Sequence, residues 1–213
     1  MMKAQTLKNK AYTVIKEKIM TCEYMPGDFI NEKEIIQQIN VSRTPIREAI
    51  ILLEQEGLVS ILPQRGVMVN RITLQDVIEA FQVREVIEPY ALKHFGSRLD
   101  KETFKKYREM LSDPELLSDH EKGNLLDDEM HMSIVKAMNN HYFTDVINAI
   151  RVQTHRLRIL SNRLGLRFIK TIDEHIEIID AILSEKYDLA AELMSKHLAK
   201  AKEASINHVV GLE

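Results

Sequence analysis

The stretch that most constrains the fold of this chain is residues 34–66, which read EIIQQINVSRTPIREAIILLEQEGLVSILPQRG. A short helical pattern ends at Ile39, and a turn follows at Asn40. Ser42 then stands where the N-cap of a second helix would be, and its hydroxyl can accept a hydrogen bond from the first turn. Pro45 falls inside that turn, where a missing N–H group costs little. The pattern predicts two helices joined by a tight turn.

The second of these helices has one apolar face and one basic face near its start. The apolar residues recur at steps of three and four, as expected for a buried stripe: Ile46, Ala49, Ile50 and Leu53. Arg43, Thr44 and Arg47 remain on the opposite face, close to the N-terminus. An exposed Arg can bind guanine O6 and N7, and Thr can reach a phosphate or a thymine methyl group. This layout is typical of a helix whose N-terminal end enters the DNA major groove.

Two short strands are predicted after this helix. Gly57 is suited to the left-handed conformation just past a helix end. Residues 58–62 and 67–70 have the apolar and β-branched composition of strands, with a turn between them. The turn presents Arg65, which is placed to contact a phosphate or a minor groove, and Gly66, which allows close approach. The sequence therefore predicts a basic β-hairpin beside a helix-turn-helix.

The motifs SRTPIREAI, LEQEGLV and the PQRG turn closely resemble the DNA-binding domain of GntR-family bacterial transcriptional regulators. The resemblance implies a winged helix-turn-helix domain over residues 1–71 and binding of double-stranded operator DNA by a homodimer. It also implies operator contacts at seven positions: Lys33, Ser42, Arg43, Thr44, Arg47, Arg65 and Gly66. Because the family often has Arg at the position of Lys33, we expect a phosphate contact there rather than a bidentate base contact.

Composition indicates a two-domain protein without a membrane segment. A chain of 213 residues has room for two small domains, each with its own core. No apolar run reaches the length of a transmembrane helix, and the N-terminus lacks the apolar segment of a signal peptide. The single cysteine, Cys22, cannot form an internal disulfide, so we expect a cytoplasmic protein.

From Thr73 onward the apolar periodicity is helical. Six amphipathic stretches are present, at roughly 74–96, 100–111, 120–139, 141–163, 166–184 and 187–208. In the first of them we expect a buried stripe formed by Val77, Phe81, Val83 and Val86. Residues 72–213 are therefore predicted to form an all-α antiparallel bundle, which makes the whole chain mainly α.

The histidines are confined to this helical part. Asp127 and His131 are four residues apart, so both lie on one face of a helix. His175 and His197 belong to two later helices, which a short loop can place side by side. One carboxylate and three imidazoles from three helices form a credible site for a divalent metal ion. The alternative is that these histidines are solvated or are satisfied core residues.

Three motifs resemble the FCD effector domain that is attached to many GntR regulators: DDEMH (127–131), EHIEIIDAI (174–182) and AAELMSKHL (190–198). The resemblance implies one divalent metal ion per chain, held by Asp127, His131, His175 and His197. Zinc or nickel is expected, with manganese as an alternative. The family usually has Phe where this chain has Met130, which is also large and apolar.

The resemblance also implies a pocket for a small carboxylate effector beside the metal. Arg84 corresponds to an Arg that commonly faces this pocket, where it would bind one carboxylate while the metal binds another. The alternative for Arg84 is an ion pair with Glu88 on the same helix. Asn140 matches the family's usual Asn, and Arg151 and His155 share one helix face. We expect these three residues to contribute to effector binding as well.

Together these features predict a DNA-binding transcriptional regulator, by family habit a repressor, that is controlled by an organic acid and is not an enzyme. A metal with three His and one Asp could activate water for hydrolysis, but a general base would be needed. Glu129 lies between Asp127 and His131 and points away from their shared face. A regulator that senses the metal itself and a purely structural metal remain as alternatives.

Overall fold

The computed structural model describes residues 2–113, 119–162 and 168–211, and it divides into two compact units, Met1–Ile72 and Thr73–Glu213. The first unit contains three helices and a hairpin: α1 (Met2–Met20), α2 (Glu32–Ile39), α3 (Arg43–Gln55), β1 (Val59–Leu62) and β2 (Gly66–Val69). The two strands are antiparallel, with Val59 opposite Val69 and Leu62 opposite Gly66. The predicted winged helix-turn-helix is confirmed.

The core of the first unit lies where α3 packs along α1. All four residues of the predicted apolar stripe of α3 are buried: Ile46, Ala49, Ile50 and Leu53. Asn40 ends α2 in the left-handed region, with φ of 52°, a conformation that Asn tolerates better than most residues. Gly57 follows α3 with φ of 71°, which agrees with its predicted role at the helix end.

Ser42 occupies the N-cap position of α3, but its hydroxyl makes no capping hydrogen bond, so this part of the prediction is wrong. Its backbone is extended, with φ of −75° and ψ of 172°, as is usual at an N-cap. Ser42 is exposed, and water can therefore hydrogen-bond the N–H groups of the first turn in its place. The hydroxyl remains available for another partner.

The second unit is built from helices that correspond to the six predicted stretches: α4 (Leu74–Phe95), a 3₁₀ turn (Gly96–Arg98), α5 (Lys101–Leu111), α6 (His120–Lys136), α7 (His141–Asn162), α8 (Phe168–Leu183) and α9 (Tyr187–Val210). The predicted ends at residues 163 and 166 lie outside the described residues. Helix α4 packs along α9, α6 packs against α7, and α8 packs against both α5 and α9. Over the described ranges, no helix has the length and apolarity needed to cross a membrane.

The buried face of α4 differs from the predicted stripe. Val77 and Phe81 are buried, but Val86 is 70% exposed. From Phe81 the buried face continues through Arg84 and Glu88, because residues three and four positions apart share a helix face. Val86 is five positions beyond Phe81 and so points the other way. Helix α4 therefore brings an arginine and a glutamate, rather than two valines, into the interior of the bundle.

Candidate DNA-binding surface and metal centre

The residues predicted to contact DNA are exposed near the starts of α2 and α3 and at the tip of the hairpin: Lys33, Ser42, Arg43, Thr44, Arg47, Arg65 and Gly66. The side chain of Arg43 is 64% exposed, and its Nε lies 3.4 Å from Oε2 of Glu32. An exposed pair at this distance contributes little, so the guanidinium can exchange this partner for a base or a phosphate. Gly66 has φ of 106°, a conformation that a residue with a Cβ atom would adopt only under strain.

Asn70 connects the hairpin to the end of α3, a role that no pattern in the sequence indicated. Its Oδ1 accepts a hydrogen bond from the hydroxyl of Ser60 at 2.6 Å, and its Nδ2 donates to the carbonyl of Gly57 at 2.9 Å. These bonds join the end of α3, strand β1 and the residue after strand β2. Asn70 therefore helps to set the position of the wing relative to the recognition helix.

In the second unit, the four predicted metal ligands come together from α6, α8 and α9: Asp127, His131, His175 and His197. All four are buried, and one donor atom from each lies within 4.8 Å of the other three. Asp127 and His131 are one turn apart on the inner face of α6, so both side chains reach the same point. Glu129 lies between them in sequence and is exposed, which agrees with its predicted orientation.

The distances between the donor atoms fit a common metal ion. Nε2 of His175 lies 3.3 Å from Nε2 of His197 and 3.4 Å from Oδ1 of Asp127. Two ligand atoms that are each about 2.0–2.1 Å from one ion at a tetrahedral angle are about 3.4 Å apart. Nε2 of His131 lies 3.9 Å from Oδ2 of Asp127 and is buried without a hydrogen-bond partner among the described residues. A buried polar atom without a partner is costly, and a metal ion would satisfy it.

Two further carboxylates hold the imidazole rings from behind. Oε2 of Glu88 lies 2.6 Å from Nδ1 of His131, and Oε2 of Glu174 lies 2.8 Å from Nδ1 of His197. Because an ionised carboxylate only accepts hydrogen bonds, each Nδ1 must carry the proton, and each Nε2 keeps its lone pair for a metal. Burial lowers the pKa of His197, although its hydrogen bond with Glu174 acts in the opposite direction.

His175 completes the set as a neutral imidazole. Burial, reinforced by the neighbouring His197, lowers the pKa of His175 well below its ordinary value of 6.5. A histidine must be deprotonated before it can bind a metal. Near neutral pH, therefore, His175 and His197 need not lose a proton to become ligands.

Arg84 contacts the site through Glu88. Its Nε lies 2.6 Å from Oε1 of Glu88, and its Nη2 lies 3.4 Å from Oε2. Burial raises the pKa of Glu88, but the charge of Arg84 and the contact with His131 outweigh this effect and hold the pKa well below its usual value. Arg84 also lines a cleft beside the metal ligands. The two predicted alternatives for Arg84, an ion pair with Glu88 and a place in a pocket, are thus not exclusive.

This cleft has a volume of about 430 Å³, including the space that opens to solvent. Asp127 and His197 form one side of it, Arg84 and Arg158 supply positive charge, and Thr154 supplies a hydroxyl. A second cavity of about 280 Å³ is also lined by Arg84, Thr154 and Arg158. A cleft with cationic groups beside a metal ligand set is suited to a small anionic molecule.

Of the other predicted effector residues, two lie beside this site and one does not. Nδ1 of His155 lies 2.6 Å and Nε of Arg151 lies 3.4 Å from the same oxygen, Oδ2 of Asp128. Asn140 instead precedes α7, is exposed, and accepts a hydrogen bond from the backbone N–H of Tyr142 at 3.0 Å. This is the usual role of Asn at a helix start, and Asn140 lines neither of the two cavities.

Arg158 is a part of the site that was not predicted. Its Nη2 lies 2.5 Å from Oδ2 of Asp127, and its Nη1 lies 2.6 Å from Oδ1 of Asp128. Burial lowers the pKa of Arg158, but the charges of the two aspartates outweigh it and raise the pKa above its usual value. A signal was present in the sequence, because Arg151, His155 and Arg158 are four and three residues apart and share a helix face.

A winged helix-turn-helix unit with exposed arginines, followed by a helical unit with a buried His and Asp cluster, defines a DNA-binding transcriptional regulator. The chain belongs to the bacterial regulatory proteins of the GntR family: residues 7–69 match the GntR DNA-binding domain, and residues 79–200 match the FCD domain. FCD domains are known to bind metal ions, and the His and Asp cluster lies within this match. Members of the family are transcriptional regulators rather than enzymes, as predicted.

Similar proteins cover nearly the whole chain. The sequence is 26% identical over 203 residues to the HTH-type transcriptional repressor RspR of Escherichia coli K12, covering 94% of this chain and 89% of RspR. It is 27% identical over 171 residues to the gluconate operon transcriptional repressor of Bacillus licheniformis, covering 76% and 70% of the two chains. The fold is similar to the solved structure of a GntR transcriptional regulator from Rhodococcus sp. RHA1, with a TM-score of 0.83, 19% identity and coverage of 97% and 98%.

Proposed function

We propose that this protein is a cytoplasmic repressor that binds a near-palindromic operator as a homodimer and is controlled by a small organic acid at a metal centre. One observation carries the proposal: four buried donor atoms converge directly beside a cleft that contains arginines. A metal ion and a guanidinium at the two sides of one cleft suit a molecule with carboxylate groups.

The DNA-binding part of the proposal rests on exposure and chemistry. Arg43, Thr44 and Arg47 would contact base edges and nearby phosphates, while Lys33 and Arg65 would contact phosphates on either side. Ser42 has an uncapped hydroxyl that can donate to a phosphate, and Gly66 permits close approach of the wing. Two copies related by two-fold symmetry would occupy two half-sites. Two relatives named as repressors support repression as the mode of action.

The metal would be held by Asp127 and the three histidines, and three imidazoles favour zinc or nickel, with manganese as the alternative. When bound, the ion would supply a Lewis-acidic position at which an effector carboxylate can bind. Four protein ligands around a six-coordinate ion leave two positions for the acid or for water. The outer carboxylates Glu88 and Glu174 would keep the rings of His131 and His197 oriented toward the ion.

The effector would occupy the cleft, where Arg84 presents its Nη1 beyond the two nitrogens that already contact Glu88. Arg151 and His155 would contribute through Asp128, whereas Asn140 starts α7 and is not part of the proposed site. An acid that binds one arrangement of the dimer more tightly than another shifts the balance between them, and operator affinity changes by the same free energy. The gluconate operon repressor, named for a sugar-acid operon, is consistent with an acid as the signal.

Chelator titration of operator binding, repeated with succinate, malate and gluconate, tests this function. The metal-loaded protein should bind the operator, release it when one of the acids is added, and lose the acid response once the metal is removed. A regulator that senses the metal itself would instead respond to metal in the absence of any acid. A purely structural metal would unfold the second unit when removed, and circular dichroism would show this as a loss of helix.

A further inference from the structure

Arg158 bridges two carboxylates that have different neighbours. Its Nη2 contacts Asp127, which is one of the four metal-type ligands, and its Nη1 contacts Asp128, which is not. The side chain of Arg158 is only 14% exposed, and it lines both cavities beside the ligand set. One end of the guanidinium therefore competes with a metal ion for Asp127, while the other end is anchored elsewhere.

The anchor on Asp128 does not depend on Asp127. Asp128 also accepts from Nδ1 of His155 at 2.6 Å and lies 3.4 Å from Nε of Arg151. Burial raises the pKa of Asp128, but the charge of Arg158 and the bond to His155 outweigh it and hold the pKa well below its usual value. Asp128 therefore stays ionised and keeps Arg158 in the cleft when the contact with Asp127 is lost.

The charges around the ligand set balance when no metal is bound and the imidazoles are neutral. Four carboxylates line or adjoin it: Glu88, Asp127, Asp128 and Glu174. Four cations pair with them: Arg84, Arg151, Arg158 and Lys200. A divalent ion adds two positive charges to this buried group. Buried charge without compensation is costly, so the loaded site needs two negative charges from elsewhere.

We propose that Arg158 is an exchangeable cation that neutralises Asp127 in the metal-free protein and binds an effector carboxylate in the metal-loaded protein, so that the loaded site selects dianionic acids. The inference rests on the proposed function, because it assumes that Asp127 binds a metal. It adds the residue that holds the second carboxylate and the charge class of the effector. Nη2 of Arg158, released from Asp127, faces the same cleft as His197 and Thr154 and can form a charge-assisted bond there.

The first test measures metal affinity in the full-length protein and needs no effector. Cobalt(II) is titrated against a competing chelator, with the visible absorption of the bound ion as the signal. Arg158→Gln should bind cobalt about tenfold more tightly than the wild type, because a positive charge beside the ion has been removed. Arg158→Lys should stay near the wild-type affinity, since it keeps the charge. Arg108→Gln is the matched control: it breaks an exposed Arg–Asp pair with Asp180 that lies outside the cleft.

An unchanged or weaker cobalt affinity in folded Arg158→Gln protein overturns the exchange. If the wild type itself binds no cobalt, the proposed function fails as well, so the two failures are distinguishable. Circular dichroism and gel filtration establish that each variant is folded. Should Arg158→Gln not fold, Arg158→Lys carries the test through the second measurement.

The second test compares succinate with butyrate, which has the same four-carbon chain and one carboxylate fewer. Calorimetry of the zinc-loaded wild type should show succinate binding about 30-fold more tightly, as expected for one additional charge-assisted contact. Arg158→Lys should reduce this preference to about threefold, since an ammonium group cannot contact Asp128 and the acid with the geometry of a guanidinium. Arg108→Gln should keep the full preference. Equal affinity for the two acids in the wild type, or no binding of either, overturns the dianion selection.

Discussion

Glu88 on α4 lies 2.6 Å from Nδ1 of His131 on α6, and both side chains are buried. Glu88 is held in turn by Arg84, one turn earlier on the same helix. The three residues form a chain in which a guanidinium keeps a carboxylate ionised and the carboxylate orients an imidazole. Such outer partners commonly matter nearly as much for metal binding as the ligands themselves.

Replacing Glu88 should therefore weaken metal binding although Glu88 is not a ligand. We expect Glu88→Gln to lower zinc affinity by about 10- to 100-fold, because the neutral amide holds the ring of His131 less firmly and leaves Arg84 without its counter-ion. Glu174→Gln provides the comparison, since Glu174 is more exposed and its partner Lys200 lies near the surface, so its effect should be smaller. Competition with a zinc indicator measures both. Equal affinity in Glu88→Gln and the wild type would contradict the role of Glu88.

Removal of a ligand should empty the site and destabilise the second unit. His197→Ala should contain little metal by elemental analysis and should melt at a lower temperature than the metal-loaded wild type. An ion present at 100 times its dissociation constant stabilises the folded state by about 2.7 kcal/mol, and the variant loses this contribution. His208→Ala, near the end of the same helix and outside the ligand set, should retain about one metal ion per chain. Full metal content in His197→Ala would show that His197 is not a ligand.

The metal-free protein should become less stable as the pH falls below about 6.5, because His175 and His197 have lowered pKa values in the folded state. Below the ordinary pKa the unfolded chain takes up protons that these folded histidines do not, so acid favours unfolding. Each such histidine contributes a slope of up to about 1.4 kcal/mol per pH unit. Urea unfolding at pH 7, 6 and 5 measures this slope. It should be shallower in His175→Gln, and an identical slope would contradict the lowered pKa.

The operator contacts can be separated by their dependence on DNA sequence and salt. Arg43→Ala should lower affinity for the specific operator by about 1–3 kcal/mol, through loss of a base contact. Lys33→Ala should weaken binding to specific and unrelated duplexes alike and should flatten the salt dependence, as expected for a phosphate contact. Fluorescence anisotropy at several salt concentrations distinguishes the two. If Arg43→Ala binds the operator normally while remaining folded and dimeric, α3 is not the recognition helix.

Local patterns were sufficient for the DNA-binding unit. The apolar stripe of α3, the turn at Asn40 and the positive φ of Gly57 each depend on a few neighbouring residues, and all three agree with the structure. The capping bond of Ser42 does not form, because solvent competes for the N–H groups at an exposed helix start. Asn70 could not be predicted, since its partners Ser60 and Gly57 become neighbours only after the hairpin has closed.

The helical unit shows where local patterns end. Sequence periodicity predicted helices in the right places but gave α4 a buried face that included Val86, whereas the structure buries Arg84 and Glu88. A hydrophobic pattern cannot indicate a buried ion pair, because the pair is stable only when His131, 43 residues further on, supplies its third member. Asn140 fitted a motif, yet it lies at the exposed start of α7.

The sequence by itself determined the class of this protein and its metal-type ligand set, because the residues concerned lie in short motifs with helical spacing. Only the tertiary structure decided what surrounds those ligands: Glu88 and Glu174 behind the imidazoles, and Arg158 between Asp127 and Asp128. Glu88, Glu174 and Arg158 are brought to the ligand set from α4, α8 and α7. Electrostatic interactions depend on distance in space, and packing of the bundle creates these distances between residues that are far apart in sequence.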